Sequence, residues 1–112
     1  MKLRDVHLED KYVVENGRIF LNGTQALVRL PLMQHARDKR NGLDTACYIS
    51  GYRGSPLGQY DQQLWLAKEH LSQHNIVFQS GVNEDIAATA LWGTQQAGLH
   101  GKPKYDGVYG IW

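Results

Sequence analysis

The chain has 112 residues, of which 42% are hydrophobic and 21% charged, with 12 glycines and 3 prolines. This length allows one domain with a modest core, and the composition is that of a soluble globular protein, not of a low-complexity chain. The 12 basic and 11 acidic residues are interspersed and leave a net charge of +1. Because nucleic-acid binding depends on clustered Lys and Arg, a nucleic-acid partner is not expected.

Neither a signal peptide nor a membrane-spanning segment is predicted. Residues 1–11 mix charges of both signs, and no apolar run approaches the roughly 20 residues that cross a bilayer. The single cysteine, Cys47, lies in an apolar run and is expected to be a small buried hydrophobe, since one thiol forms no internal disulfide. These features favour a reduced, cytoplasmic setting.

The chain begins with an expected N-terminal arm, residues 1–22, that contains a small β-hairpin. Two β-forming runs, residues 12–14 and 18–20, flank Asn16-Gly17, which is a strong hairpin turn.

A long helix follows, capped near Asn22 and running to about Arg40, where Asn41-Gly42 ends it. Pro31 removes one helical hydrogen bond and crowds the turn before it, so a kink or a break into two helices is expected. The residues expected to face the core are Ala26, Leu27, Leu30 and Met33 or Gln34.

Strands and helices then alternate with short connections. This order predicts an α/β fold, a partial doubly wound parallel sheet flanked by helices. The elements are a strand at 44–50, a helix at 57–73, a strand at 76–78, a helix from Asn83 to about Leu99 and a strand at 106–112. A final strand without a covering helix leaves an exposed edge, so we expect the chain to be the N-terminal part of something larger.

Two loops stand out, residues 50–58 and 81–85. If the strands before them are parallel neighbours, both loops lie at one sheet edge, where ligands bind in open α/β sheets. Gly51, Gly54 and Gly58 with Ser55 could hold an anion, but their spacing matches neither known phosphate-binding fingerprint. A structural turn, with Ser55 as helix cap and Pro56 as first helical residue, is therefore favoured.

Several charged and aromatic residues have structural interpretations on position alone. Arg53 could bind a ligand carboxylate or phosphate, or could simply be solvated. Glu84 and Asp85 suit the first turn of a helix because of the helix dipole. His70 and His74 are better explained as surface residues at a helix end than as a zinc site. The residues expected to serve packing are Trp65 and Trp92.

Four segments in order resemble the N-terminal region of the long, fused bacterial indolepyruvate ferredoxin oxidoreductases, and the resemblance covers nearly the whole chain from Asp10 onward. These segments are residues 23–33 (GTQALVRLPLM), 51–58 (GYRGSPLG), 83–96 (NEDIAATALWGTQQ) and 104–112 (KYDGVYGIW). The resemblance implies that residues 23–112 are the N-terminal part of a thiamine-diphosphate pyrimidine-binding domain, incomplete at its C-terminus. It also implies oxidative decarboxylation of indolepyruvate or a similar aryl-2-oxoacid to an acyl-coenzyme A, with reduction of ferredoxin.

The resemblance assigns roles to individual residues. Glu84 matches the catalytic glutamate that bonds ring nitrogen N1′ of the cofactor, and Ser55 matches a hydroxyl residue beside the cofactor and the substrate carboxylate. Gly54 and Asn83 are implied cofactor-binding positions, and Arg53 is a candidate substrate contact. Magnesium, the 4Fe-4S clusters and the diphosphate-binding domain belong to the remainder of the chain or to a partner subunit, so the 112 residues alone are expected to be inactive.

Two alternatives stay open. The chain could be a free-standing small α/β domain that binds an anion or a partner without catalysis. It could also be a small subunit that completes its site with another polypeptide.

Overall fold

A computed structural model describes residues 4–112, in which three parallel strands form one sheet. The strand order is β2-β1-β3, with β1 (Thr45–Ile49) between β2 (Ile76–Phe78) and β3 (Gly107–Ile111). Cys47 of β1 lies opposite Ile76 of β2 and Tyr109 of β3. The predicted α/β fold with a parallel sheet flanked by helices is confirmed.

Five α-helices and one 3₁₀ turn accompany the sheet in the described part of the chain. They are α1 (Asp10–Val13), α2 (Gly23–Arg40), α3 (Gly58–Leu66), α4 (Lys68–Gln73), α5 (Glu84–Thr94) and the 3₁₀ turn Ala97–Leu99. Within residues 4–112, no helix combines the length and the apolar character that crossing a membrane demands.

The N-terminal arm contains no β-hairpin between residues 4 and 22, so that prediction is wrong. Instead, Tyr12 lies in α1 and is only 4% exposed. Arg29 of α2 donates to the carbonyl oxygens of Lys11 and Val14, at 2.9 and 2.7 Å. A two-stranded hairpin alone is marginal in water, and packing on α2 stabilises the arm as a short helix instead.

Helix α2 begins as the sequence predicts. The Asn22 side chain accepts from the backbone N–H of Gln25 at 2.8 Å, and the Gln25 side chain accepts from the backbone N–H of Asn22 at 3.0 Å. This reciprocal capping box satisfies two donors that a helix start otherwise leaves unpaired. Pro31 lies inside one continuous helix, so the predicted break is absent.

The buried face of α2 is not the predicted one. Leu27 and Leu30 are 39% and 59% exposed, whereas Val28 and Leu32 are fully buried. The two stripes are offset by about one residue and have the same helical period, so the pattern alone does not separate them. Burial of Pro31 in the core selects the second stripe.

The predicted helix at 57–73 is divided at Ala67 into α3 and α4. The expected core positions Leu64, Ala67 and Leu71 are buried, which confirms most of the stripe. Leu57 lies before the helix and is 50% exposed. Asp61, a charged residue on the buried side, is 7% exposed and was not foreseen there.

Cys47 is 2% exposed, and its burial raises the pKa of the thiol to about 12. A thiol with that pKa stays protonated at neutral pH, so the prediction of a packing role is confirmed. Trp65 packs edge-on against Phe78, with ring centroids 5.5 Å apart, but is 46% exposed. Trp92 is 67% exposed, so its predicted packing role is wrong.

His35 gives the fold a testable pH dependence. The side chain is 5% exposed, and its Nδ1 has no hydrogen-bond partner among residues 4–112. Burial, followed by the charges of His74 and Lys39, lowers the pKa of His35 below its ordinary 6.5. The unfolded chain therefore takes up this proton at higher pH than the folded chain, so stability is full above about pH 6.5 and falls as the pH drops below it.

We expect the urea midpoint of the wild-type chain to fall between pH 7.5 and pH 5.5 more steeply than that of His35→Leu, which lacks the titrating group. Exposed His100 supplies the control, because His100→Leu should leave the wild-type slope unchanged. Equal slopes in the wild type and His35→Leu would contradict the assignment.

Candidate functional site

The two loops noted in the sequence lie side by side at the carboxyl edge of the sheet. Tyr52 and Gly81 form a parallel bridge, and the Gly81 N–H donates to the Gly51 carbonyl oxygen at 2.8 Å. This bond extends the β1–β2 pairing beyond the strands. The strands before the two loops are therefore parallel neighbours, and both loops lie at one edge of the sheet.

The first loop is a tight turn that folds back over the start of α3. The Ser55 N–H donates to the Tyr52 carbonyl oxygen at 3.1 Å, and the helix starts at Gly58 without a side-chain cap. The predicted cap at Ser55 and helix start at Pro56 are therefore wrong. A Cβ at Gly58 would stand 2.6 Å from the carbonyl oxygen of Arg53, which is backbone and cannot swing aside.

We expect Gly58→Ala to destabilise the chain by about 1–3 kcal/mol, because the loop must shift to admit the methyl group. Gly51→Ala in the same loop is the matched control, since nothing lies within 4 Å of a Cβ there. Urea unfolding of both variants measures the difference. Equal midpoints would show that the close approach at Gly58 is relieved without cost.

A cavity of about 320 Å³ opens between the first loop, α2 and the carboxyl ends of all three strands. Most of its wall is apolar, and its polar groups come from the first loop and α3. Among its lining residues are Arg53, Ser55, Asp61, Leu64, Phe78 and Trp112.

Arg53 is paired within the site. Its Nε and Nη2 both lie 3.2 Å from Oδ1 of Asp61. The arginine side chain is 68% exposed while that of Asp61 is 7% exposed, so the pair spans the boundary between solvent and core. The sequence allows Arg53 to be a ligand contact or a solvated residue. The structure adds a third interpretation, in which Arg53 is the ion-pair partner of the buried Asp61.

Glu84 and Asn83 lie outside the cavity lining, at the start of α5. The Asn83 side chain accepts from the Ile86 N–H at 2.8 Å, so Asn83 is a helix cap, as predicted. Glu84 is exposed, and its carbonyl oxygen accepts from the indole N–H of Trp112 at 3.3 Å. Because Trp112 also lines the cavity, this bond connects the second loop to it.

The structure therefore brings Arg53 and Ser55 together in the cavity wall and leaves Gly54 in the adjoining turn. A Cβ at Gly54 would meet the Tyr52 ring at 2.5 Å.

Comparison of the chain with protein-family models, with curated proteins and with solved structures finds no match.

The sequence did not predict that Asp61 and Trp112 belong to the site. Asp61 lies one residue beyond Tyr60 on the apolar stripe of α3, and a single acid there is a signal that could have been used. Trp112 carries no such signal, since it follows a strand and its contact with Glu84 depends on the position of β3.

His70 and His74 contact other protein groups. His74 contacts the carbonyl oxygen of His70 through Nδ1 at 2.7 Å, and His70 contacts the carboxylate of Glu9. In the part of the chain that the structure describes, no three His, Cys, Asp or Glu residues are grouped as a metal site would require.

Proposed function

We propose that this chain is the N-terminal part of the pyrimidine-binding region of a thiamine-diphosphate-dependent indolepyruvate ferredoxin oxidoreductase. The reaction is the oxidative decarboxylation of indolepyruvate or a similar aryl-2-oxoacid to an acyl-coenzyme A, with ferredoxin as electron acceptor. The observation that carries the proposal is the position of Glu84. Glu84 is exposed and is the first residue of α5. The loop directly before it is hydrogen-bonded, through Gly81, to Gly51 of the first loop.

The residues present fit the pyrimidine half of the cofactor. Within residues 4–112 the Glu84 carboxylate makes no hydrogen bond or ion pair that would compete for a ring nitrogen. The loop before Glu84 packs closely against α5, since a Cβ at Gly81 would stand 2.7 Å from the Cβ of Ala87. Asn83 fixes the first turn of α5 from the other side. Magnesium and the diphosphate group would be held elsewhere, by the remainder of a longer chain or by a partner subunit.

Thiamine diphosphate, when bound, supplies a nucleophilic carbon for the oxo group and an electron sink for decarboxylation. Glu84 would hold the aminopyrimidine ring at nitrogen N1′ and would share a proton with it, because a carboxyl group can both hold and release a proton. Ser55 offers a hydroxyl donor in the cavity wall. Arg53 offers guanidinium N–H groups on the solvent side of its pair with Asp61, which suits the carboxylate of a 2-oxoacid.

The proposed setting is the cytoplasm, where coenzyme A, ferredoxin and the 4Fe-4S clusters of the complete enzyme operate. The proposal includes no nucleic-acid partner.

A second candidate function is a free-standing domain that binds a small ligand without catalysis. The observation that favours it is the mainly apolar cavity of about 320 Å³ at the carboxyl edge of the sheet.

The mass of the native polypeptide separates the two candidates. A peptide around Glu84 identifies that polypeptide by mass spectrometry, and the purified material is assayed for 2-oxoacid-dependent dye reduction with coenzyme A and thiamine diphosphate. The proposal expects activity from a chain several-fold longer than 112 residues, or from a complex with a partner subunit. A monomer near 12.7 kDa that is inactive alone and has no partner would favour the ligand-binding domain.

A further inference from the structure

A second cavity lies between the N-terminal arm and α2, and its volume is about 600 Å³. It is lined by two residues of the arm and by one face of α2, where lining residues recur every three or four positions. These lining residues are Glu15, Asn16, Arg29, Met33, Arg37 and Arg40. None of them lines the first cavity, and the proposed chemistry uses none of them.

The lining carries positive charge that the described chain does not neutralise. Glu15 is the single acid among the described lining residues, and it pairs with Arg40. Arg29 donates to the carbonyl oxygens of the arm, which are neutral. Arg37 forms no ion pair with any residue between 4 and 112. Three arginines against one glutamate leave the lining with a charge of +2.

The nearest acid in the sequence does not relieve this excess. Asp38 follows Arg37, but its Oδ1 accepts from the Gln34 side chain at 2.8 Å and its Oδ2 accepts from the Thr45 hydroxyl at 2.7 Å. Like charges one helical turn apart, as at Arg37 and Arg40, destabilise a helix. An anion between the guanidinium groups removes that repulsion.

The arginines are accessible to an anion from solvent. Arg37 is exposed, and the side chain of Arg40 is 60% exposed. Arg29 is half-buried and is held by its two bonds to the arm, so one charge of the lining has a fixed position. The planar fork of a guanidinium matches two oxygens of a phosphate group.

We propose that this cavity binds the phosphate group of a small molecule, either a phosphate monoester or inorganic phosphate. A monoester group carries a charge of about −1.5 to −2 at pH 7, which balances the lining. A phosphodiester, the group that links nucleotides, carries a single charge and leaves half of the excess in place.

Methyl phosphate and dimethyl phosphate test the proposal, because the first is mostly a dianion at about pH 7.5 and the second is a monoanion. At constant ionic strength we expect methyl phosphate to bind about twofold to fivefold more tightly, the factor of one partly exposed ion pair. Backbone amide NMR titration gives both dissociation constants, and the shifts should lie in residues 15–16 and 29–40. Inorganic phosphate distinguishes the source, since binding as tight as that of methyl phosphate indicates the free ion and weaker binding indicates an organic monoester.

Two variants change the charge of the lining in opposite directions. Glu15→Gln removes its acid and frees Arg40, so methyl phosphate should bind about twofold to fivefold more tightly, and Arg37→Gln should weaken binding by a similar factor. Glu69→Gln and Lys102→Gln are the matched controls, because they make the same charge changes at exposed residues outside the cavity. Both controls should keep the wild-type dissociation constant.

Equal or tighter binding of dimethyl phosphate, or shifts confined to another surface, would overturn the proposal. So would unchanged or weaker binding in Glu15→Gln. Because a damaged fold does not tighten binding, a gain in Glu15→Gln supports the site even if Arg37→Gln does not fold.

The inference does not rest on the proposed oxidoreductase function. Its test requires neither thiamine diphosphate nor turnover, so failure of one proposal leaves the other standing.

Discussion

In the complete oxidoreductase proposed above, Glu84→Gln is expected to lower turnover by about 10²–10⁴-fold, the usual contribution of a positioned acid or base. Glutamine has nearly the same shape as glutamate and can hydrogen-bond to the ring nitrogen, but it cannot share a proton with it. The loss should therefore appear in kcat and not only in KM. Steady-state assays of 2-oxoacid-dependent dye reduction at saturating cofactor measure it.

Asp85→Asn provides the matched control, because Asp85 is the neighbouring acid in the same helical turn and is also exposed. Its turnover should stay within about twofold of the wild type, since a surface acid contributes only through the helix dipole. Circular dichroism should show the same folded state in both variants. Wild-type turnover in Glu84→Gln would end the assignment of Glu84 as the cofactor-activating acid.

Leu32→Ala is expected to cost about 2–5 kcal/mol of unfolding free energy, the range for truncating a fully buried leucine. Leu32 has no exposed surface and belongs to the core cluster formed by α2, the sheet and the helices after β1. The cavity left by the lost atoms is enclosed on all sides, so little relaxation offsets it. Urea unfolding at pH 7.5, above the titration of His35, measures the change.

Leu30→Ala makes the same chemical change two residues away, at a side chain that is 59% exposed. Its cost should remain below about 1 kcal/mol, because most of the leucine surface stays in water in the folded state. The pair thus tests which face of α2 is buried. A larger loss for Leu30→Ala would restore the face that the periodicity first favoured.

The sequence was sufficient for the elements whose signals are local. Asn22 and Asn83 cap their helices as expected, because a capping side chain bonds within three residues of itself. The short apolar runs around Cys47 and Ile76 form neighbouring parallel strands, because the helices between them provide the crossover connection that parallel pairing requires.

Errors arose where tertiary contacts choose between equal local options. The chain does bend at Asn16-Gly17, with Gly17 at a φ of 112°, yet contacts of Arg29 with the arm favour a short helix before it. For the same reason, Val28 and Leu32 are buried in the core and Leu27 and Leu30 are not, since both stripes fit a helix. Local propensity does not decide between hairpin and helix in the arm, nor between the two stripes of α2.

The candidate site was predictable only in part. The strand order explains why the loops at residues 50–58 and 81–85 meet, and the order could be anticipated from alternating strands and helices. The burial of Asp61, its pairing with Arg53 and the contact of Trp112 with Glu84 could not. The Arg53–Asp61 pair depends on how the first loop folds back over α3, and the Trp112–Glu84 contact depends on where β3 docks.

The central position of β1 also governs how the chain reaches its native state. Pairing with β2 closes a loop of 29 residues, from Cys47 to Ile76, whereas joining Asp44 to Asp106 beside β3 spans 62 positions. The entropic costs of closing these two loops differ by only about 0.6 kcal/mol. Both contacts are non-local, so the chain should fold more slowly than helical proteins of this size. Until β3 docks, the hydrogen-bonding edge of β1 is open to other chains. Refolding yield should therefore fall as protein concentration rises.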